Sequence, residues 1–530
     1  MVKAIKTKRI FFILLVIYIL FSHLEFFLQP GYYSDTIGIA FSEDAYYALI
    51  VSKNIINGNG ISADGITLTN GFQPLWVLIA TIPYLIFTTD FWQITSILFI
   101  GILFWFLSAA IFLKIIKELL GYEIKKNNIK TFYALAFFLF LTDIKIQEYF
   151  FNGLETGLYC FMFLFFVYLW IKHWIPILNS KNIKIKYAFE IGLYSGVLFW
   201  CRNDSVFIIG ISFAFYFYYL LKLKIQLTKV IFTSLIMSIV TIFISSPWLL
   251  YNIFLTGSIV PQGGLATNSG PYLFPFGIDK LSEGWIQMAK LIISPILPIG
   301  WSGYSIFFYL SFFILFIILY FSKKQINMLS RSNRCFLIFM SLATFLLASY
   351  YFLFSGATWM FQRYFMPVKI LFQIFWCFTL LSFLTRFKHL SKTIVFVLIF
   401  ALFFWSSYHT AKRNKYPERY MSEELKFISK LLEKEEYSKI GMFESGRLGY
   451  AYPNNIINLD GKVNKEALKA ISEEKFDDYL SKASFDSILI KPFHEKWLDL
   501  KYPEWKINFT RVYDTNIKGT SMLYKKKNLK

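Results

Sequence analysis

Long apolar runs alternate with short polar loops along most of the chain. The runs cover 10–28, 94–116, 131–150, 154–172, 187–202, 205–221, 230–250, 303–321, 335–354, 364–385 and 393–409. Runs of this length and apolarity predict about eleven transmembrane helices. Pro74–Phe87 is also apolar, but it is short and Pro83 interrupts it. It is expected to lie in the interface or to re-enter. Two regions lack the membrane pattern: the first outward loop, 29–73, and the segment 410–530. In the latter, Glu423–Glu435 and Lys475–Ala483 are expected as helices. Lys439–Phe443, Asn455–Leu459 and Ser487–Ile490 are expected as short strands. The expected fold is a multi-span α-helical membrane domain, 1–409, followed by a soluble α/β domain, 410–530. No internal repeat is visible, which counts against an inverted-repeat transporter.

Composition agrees. Of 530 residues, 56% are apolar and only 16% charged, against about 25% charged in soluble domains. A disordered chain and a single soluble domain are both excluded. The net charge of +21 raises the question of nucleic acid. However, basic residues gather at the N-terminus (Lys3, Lys6, Lys8, Arg9) and in the loops 117–130, 173–186, 222–229, 322–334 and 386–392. Basic alternate loops follow the positive-inside rule, so the expected partner is a lipid bilayer and not nucleic acid. The N-terminus is then cytoplasmic, and an odd number of spans places the C-terminal domain outside. No small-x-small cleavage site follows the first apolar run, so it reads as a retained span. Cys160, Cys201, Cys335 and Cys377 form no CxxC, and the five histidines show no ligand spacing. A zinc site is therefore not expected. The absence of a Walker loop and of GxSxG leaves ATP-driven pumping and serine hydrolysis unsupported.

Candidate chemistry concentrates in the first outward loop, which carries Asp35, Glu43, Asp44 and Asp64 but only one base, Lys53. Ser42 is expected to cap a helix with Glu43 and Asp44 in its first turn, running to about Asn57 and stopping at Gly58-Asn59-Gly60. Tyr46, Leu49, Ile50 and Ile56 then face lipid or the bundle. Acids in a first turn also suit the helix macrodipole, so local physics alone assigns them no role. Further candidates lie at the outer ends of spans. Glu155 is either a site residue or a helix-start acid. Arg202 either pairs with Asp204 or holds an anion. Arg363, with Lys369 nearby, is the best cation for a phosphate, or an interfacial anchor. Lys145 and Glu148 suit a surface pair, and Tyr251, Asn252 and Gln262 are placed to line a cleft.

The motifs "SEDAYY…SKNIINGNG…TNGFQPLW", "NGLETGLY", "CRNDSVF", "SPWLLYN…GSIVP", "FQRYFMPV" and "GRLGYAY…NIINLDGKVN" occur in this order. Together they resemble the polyprenyl-phosphate-dependent membrane glycosyltransferases of the GT-C superfamily, in the arabinofuranosyl- and mannosyltransferase-like branch. Two departures stand out: Glu43 replaces the usual Asp, and Ile50 replaces a common mid-helix basic residue. The resemblance implies a polyprenyl-phosphate sugar donor, a glycan or glycolipid acceptor of the cell envelope, and inversion at the anomeric carbon. It also implies a multi-pass protein of the bacterial plasma membrane, working on the outer side. Asp44 would be the general base, with Glu43 supporting it or binding acceptor. Lys53, Glu155, Arg202, Arg363 and Tyr46 would bind substrate. Some relatives use a divalent cation and others do not. The C-terminal motif would contact acceptor or close over the site, unless it forms ordinary support turns. Two rival readings remain: a flippase of lipid-linked sugars, which needs ionisable groups at mid-membrane, and a non-catalytic assembly protein.

Overall fold

The structure is a computed structural model. It describes residues 41–120, 129–269, 278–294, 304–355, 361–386, 401, 404–405, 408, 428–432, 438–514 and 522–527. The expected spans 10–28 and 393–409, the acid Asp35, most of the expected helix Glu423–Glu435 and the boundary at 409/410 lie outside the described residues, wholly or in large part.

The described membrane body is helical. After the loop helix α1 (Ala45–Ile56) come α2 (Pro74–Ile86), α3 (Asp90–Leu120), α4 (Ile129–Leu141), α5 (Ile144–Phe151) and α6 (Thr156–Leu169). Helices α7 (Ile185–Cys201), α8 (Val206–Lys222), α9 (Leu227–Thr256), α10 (Gln262–Ser269) and α11 (Ile278–Ile293) follow. The body ends with α12 (Tyr304–Met328), α13 (Arg331–Tyr350) and α14 (Met366–Arg386). Six segments among the described residues are long and apolar enough to cross a bilayer: Asp90–Leu120, Thr156–Asn179, Asn203–Lys222, Leu227–Thr256, Arg331–Phe354 and Met366–Arg386. Each matches an expected span. Helix α9 shows why these are membrane helices. Phe232, Leu235, Ile239, Ile242, Phe243, Leu250 and Phe254 all lie exposed on it, a surface that water does not tolerate but hydrocarbon does. The 13-residue α2 rises only about 20 Å, short of the roughly 30 Å hydrocarbon thickness.

One expected span is corrected. Residues 131–150 form not one helix but two, α4 and α5, broken at Thr142-Asp143. Asp143 caps α5 by accepting from the Lys145 and Ile146 amides. It also forms a fully buried ion pair with Lys369 of α14. Lys369, expected beside Arg363 near a phosphate, points into the core instead. Lys369 donates to the Ser294 hydroxyl at 2.7 Å and the Leu291 carbonyl at 2.8 Å. Ser294 and Gln373 donate to Asp143. A charge can stay buried here because every partner is present.

The segment 438–527 folds as an α/β unit around a five-stranded sheet. Its strands are β1 (Ile440–Met442), β2 (Ile456–Asn458), β3 (Ser487–Ile490), β4 (Phe509–Asp514) and β5 (Met522–Lys526), in the order β2-β1-β3-β5-β4. Strands β2, β1 and β3 are parallel, while β5 is antiparallel to β3 and to β4. The three expected strands are present, and the helix expected at Lys475–Ala483 spans Phe476–Lys482. Strands β4 and β5 were not foreseen. Because the parallel strands point the same way, the loops at their carboxyl ends emerge on one edge of the sheet. That edge is where open α/β sheets place ligands, and here it faces α1.

The buried pair gives a test. Lys369→Met leaves Asp143 charged and unpaired, and should cost about 3–5 kcal/mol. Adding Asp143→Asn should recover most of that loss. Thermal unfolding in detergent reads both; an equal loss in the double variant would contradict the pairing.

Candidate active site

Helix α1 begins directly after the two acids. Ser42 does not cap it as expected; its hydroxyl donates to the Asn152 carbonyl at 3.2 Å. Asp44 occupies the N-cap position but makes no capping bond. Instead, its Oδ2 accepts from Arg363 Nη2 at 2.9 Å and its Oδ1 from Lys462 Nζ at 3.1 Å. The helix is also not a half-exposed interfacial one. Residues 45–52 are all buried, because the α/β domain covers the side expected to meet solvent.

The domain docks through the carboxyl ends of its parallel strands. The Tyr47 hydroxyl donates to Asp460 at 3.2 Å, and accepts from the Ser445 amide at 3.0 Å and Asn458 Nδ2 at 3.2 Å. Glu43 Oε1 accepts from the Arg447 amide at 2.9 Å. The approach is close enough that a Cβ on Gly446 would overlap the Glu43 carbonyl, and one on Gly71 would overlap the Lys462 carbonyl. Lys462 follows β2, and its amide donates to Asp460 Oδ1 at 2.9 Å. The loop that carries this lysine is therefore held at both its own turn and its contact with the membrane body.

Two cavities meet at Asp44. The smaller, about 320 Å³, is ringed mainly by residues with polar side chains, Ser42, Glu43, Glu148, Asn152, Gln362 and Glu444 among them, although most of its wall surface is apolar. The larger, about 610 Å³, is mostly apolar, with Phe199, Phe207, Leu249 and Val260 in its walls. Val206, Ile259 and Val260 line it while also being exposed, so its mouth opens among apolar surface side chains. Asp44, Leu154, Thr267, Arg363 and Lys462 border both cavities.

Arg202, also in the wall of the larger cavity, is already committed. It donates to Glu155 at 2.6 Å and to Asp204 at 2.7 and 3.0 Å, and Tyr351 donates to Asp204 at 2.6 Å. Arg202 also lies over the Tyr364 ring, 4.9 Å from its centroid. Arg363 stands 5.1 Å from the same ring, and its buried Nε has no acceptor among the described residues. Of the two arginines, Arg363 has donor capacity left for a ligand.

The two acids differ electrostatically. Burial alone would raise the Asp44 carboxyl, but Lys462 and Arg363 outweigh it and hold the group well below the usual carboxylate range. Glu43 is pushed up to about 7, chiefly by burial, while Arg447 and Lys491 pull it down and Asp44 adds a smaller upward push. Environment thus separates two neighbouring carboxylates.

Other expected site residues lie elsewhere. Lys53 binds Asp90 at 2.9 Å, beside Tyr450. Tyr46 is fully buried edge-on to Tyr450. Neither lines either of these two cavities; both help seat the domain on α1. Asn252 and Gln262 do not form a cleft wall but tie down the outward loop. Gln262 accepts from Thr69 at 2.7 Å and the Asn70 amide at 3.0 Å, Asn70 donates to Asn252 at 2.9 Å, and Tyr251 donates to the Thr69 carbonyl at 3.0 Å. Lys145 and Glu148 pair at 3.0 Å as expected. The residue missed by sequence reasoning is Lys462, although its motif, "NLDGKVN", was singled out. A divalent cation finds no ready ligand set. Both Asp44 oxygens face cations, and among the described residues no three His, Cys, Asp or Glu side chains converge.

The raised Glu43 predicts a pH dependence. Its contribution to stability is full below about pH 4.5 and is lost as pH rises through about 7. Wild-type protein should therefore lose melting temperature relative to Glu43→Gln between pH 5 and pH 8. Parallel melting curves in detergent check this, and a constant difference would contradict it.

No protein-family model matches the chain, and no curated protein matches it. Among solved structures it is similar to ArnT from Cupriavidus metallidurans bound to undecaprenyl phosphate. The likeness covers 97% of each chain, with a TM-score of 0.53 at 8% identity. At that identity the likeness is one of architecture. The chain shares that architecture: a multi-span helical membrane body carrying a C-terminal α/β domain.

Proposed function

We propose that this protein transfers a sugar from a polyprenyl-phosphate donor to a hydroxyl of a cell-envelope glycan or glycolipid, at the outer face of the bacterial plasma membrane. The observation that carries this reading is the position of Asp44. It stands where a larger apolar cavity meets a smaller one ringed by polar side chains, between two cations. The apolar cavity suits the prenyl chain. Arg363 and Lys462, which border both cavities, suit the phosphate. The smaller cavity suits the acceptor. The similar solved structure holds undecaprenyl phosphate, a carrier of the same class.

The chemistry follows from that placement. The acceptor oxygen forms a bond to the anomeric carbon as the bond from that carbon to the phosphate oxygen breaks. The bonding electron pair leaves with the phosphate, whose added charge Arg363 and Lys462 stabilise. The hydroxyl proton passes to Asp44. Attack from the side opposite the phosphate inverts the anomeric centre. Glu43, in the smaller cavity, contacts the acceptor. No step is routed through a metal.

The flippase reading calls for ionisable groups at mid-membrane along a pathway. The buried pair of Lys369, one turn into α14, and Asp143, at the break between α4 and α5, borders neither cavity and so supplies no such pathway. This favours the enzyme.

Purified protein incubated with polyprenyl-phosphate sugars and an envelope-glycan acceptor should release polyprenyl phosphate. Asp44→Asn should lower that release by about 10²–10⁴-fold while inserting normally in the membrane. An Asp44→Asn protein of wild-type activity would overturn the assignment.

A further inference from the structure

Asp44 presents a conflict. A general base works best when its proton affinity suits the working pH. Yet both carboxylate oxygens are engaged by cations, Arg363 at 2.9 Å and Lys462 at 3.1 Å, and such pairing makes a carboxylate a poor proton acceptor. The same two cations line the apolar cavity, where the donor phosphate belongs on the reading above. One set of donors cannot fully serve both anions.

We propose that Lys462 and Arg363 form a lock on Asp44 that the donor phosphate opens, so that the base is released only when a donor lipid is in place. This rests on the proposed function and adds a regulation of the same site. A phosphate offers the cations more charge and more acceptor oxygens than one carboxylate does. As it draws the cations towards itself, Asp44 loses its partners and regains the ability to take the acceptor's proton. The exchange itself makes and breaks no covalent bond. It links donor binding to base activation, and it keeps the base masked when an acceptor arrives first.

The two cations have different freedom. Arg363 is flanked by Tyr364, which lies against its guanidinium and also accepts from it at 3.2 Å. Its planar group can face a second anion through the unpartnered Nε with little motion. Lys462 is a point charge on a flexible stem. Its backbone is fixed by Asp460, whose carboxylate also lies 3.9 Å from the ammonium. Lys462 can thus swing from Asp44 while its loop stays in place. On this view the α/β domain is part of the reaction centre: it contributes the more mobile half of the lock.

The test is a double-mutant cycle on the full-length protein in detergent. The readout is the affinity for undecaprenyl phosphate, which lacks the sugar and so cannot react. Asp44→Asn should bind it roughly tenfold more tightly than wild type, because no ion pairs need to break. In a Lys462→Gln background the same change should gain clearly less, about threefold. Lys462→Arg should restore the full gain. If Lys462→Gln does not give folded protein by thermal melting, Arg363→Gln takes its place in the cycle with the same expectation. No tightening by Asp44→Asn overturns the lock. An equal gain in both backgrounds also overturns it, since that is simple repulsion between Asp44 and phosphate. In either case, binding by wild type leaves the donor class standing. Failure of every variant to bind undecaprenyl phosphate overturns the donor reading and the lock with it.

Discussion

A single carboxylate held between two cations organises this protein. Asp44 comes from the first outward loop, Arg363 from the segment before α14, and Lys462 from the turn after β2. Asp44 is more than three hundred residues from either cation in the chain, and the cluster is complete only if the α/β domain is seated on α1. The seating is correspondingly specific. Tyr47 reaches three groups of the domain, Glu43 receives the Arg447 amide, and Gly446 and Gly71 have no side chain to hold the surfaces apart. Burying ionised groups is costly unless they are paired, and the pairing across this interface is what lets the acid stay charged next to apolar walls.

The same rule explains the rest of the polar interior. Arg202 is enclosed by two carboxylates and two tyrosine rings. Lys369 and Asp143 neutralise each other in the bundle, with Ser294 and Gln373 completing their hydrogen bonds. In these clusters the charged groups are paired with one another. The Asp44 cluster differs because it borders two cavities and because Arg363 retains an unused donor. A paired cluster supports structure, whereas one with an unused donor beside two cavities is where a charged ligand can enter.

Much of this was legible in the sequence, for physical reasons. Lipid demands unbroken apolar runs, so the spans announce themselves, and the placement of Lys and Arg separates a membrane protein from a nucleic-acid binder. The acidic pair in a base-poor loop points to the candidate site, and Arg363, expected as a cation for phosphate, lies beside Asp44. What stayed hidden depended on tertiary partners. The break at Asp143 is invisible within an apolar run until Lys369 is placed beside it. Ser42 reads as a cap, but its hydroxyl is taken by the Asn152 carbonyl. Lys53 and Tyr46 share a loop with Asp44 but point towards Asp90 and Tyr450 instead. Lys462 looks like one of many surface lysines; only the meeting of β2 with α1 makes it a partner of Asp44. Strands β4 and β5 are masked by the charged residues among their apolar positions.

The most direct measurement of the central claim is an experimental structure of the protein with undecaprenyl phosphate. The account predicts the prenyl chain in the apolar cavity and the phosphate within hydrogen-bonding reach of both Arg363 and Lys462, with Asp44 beside it and facing the smaller cavity. A phosphate bound elsewhere, or one contacted by neither cation, would contradict it.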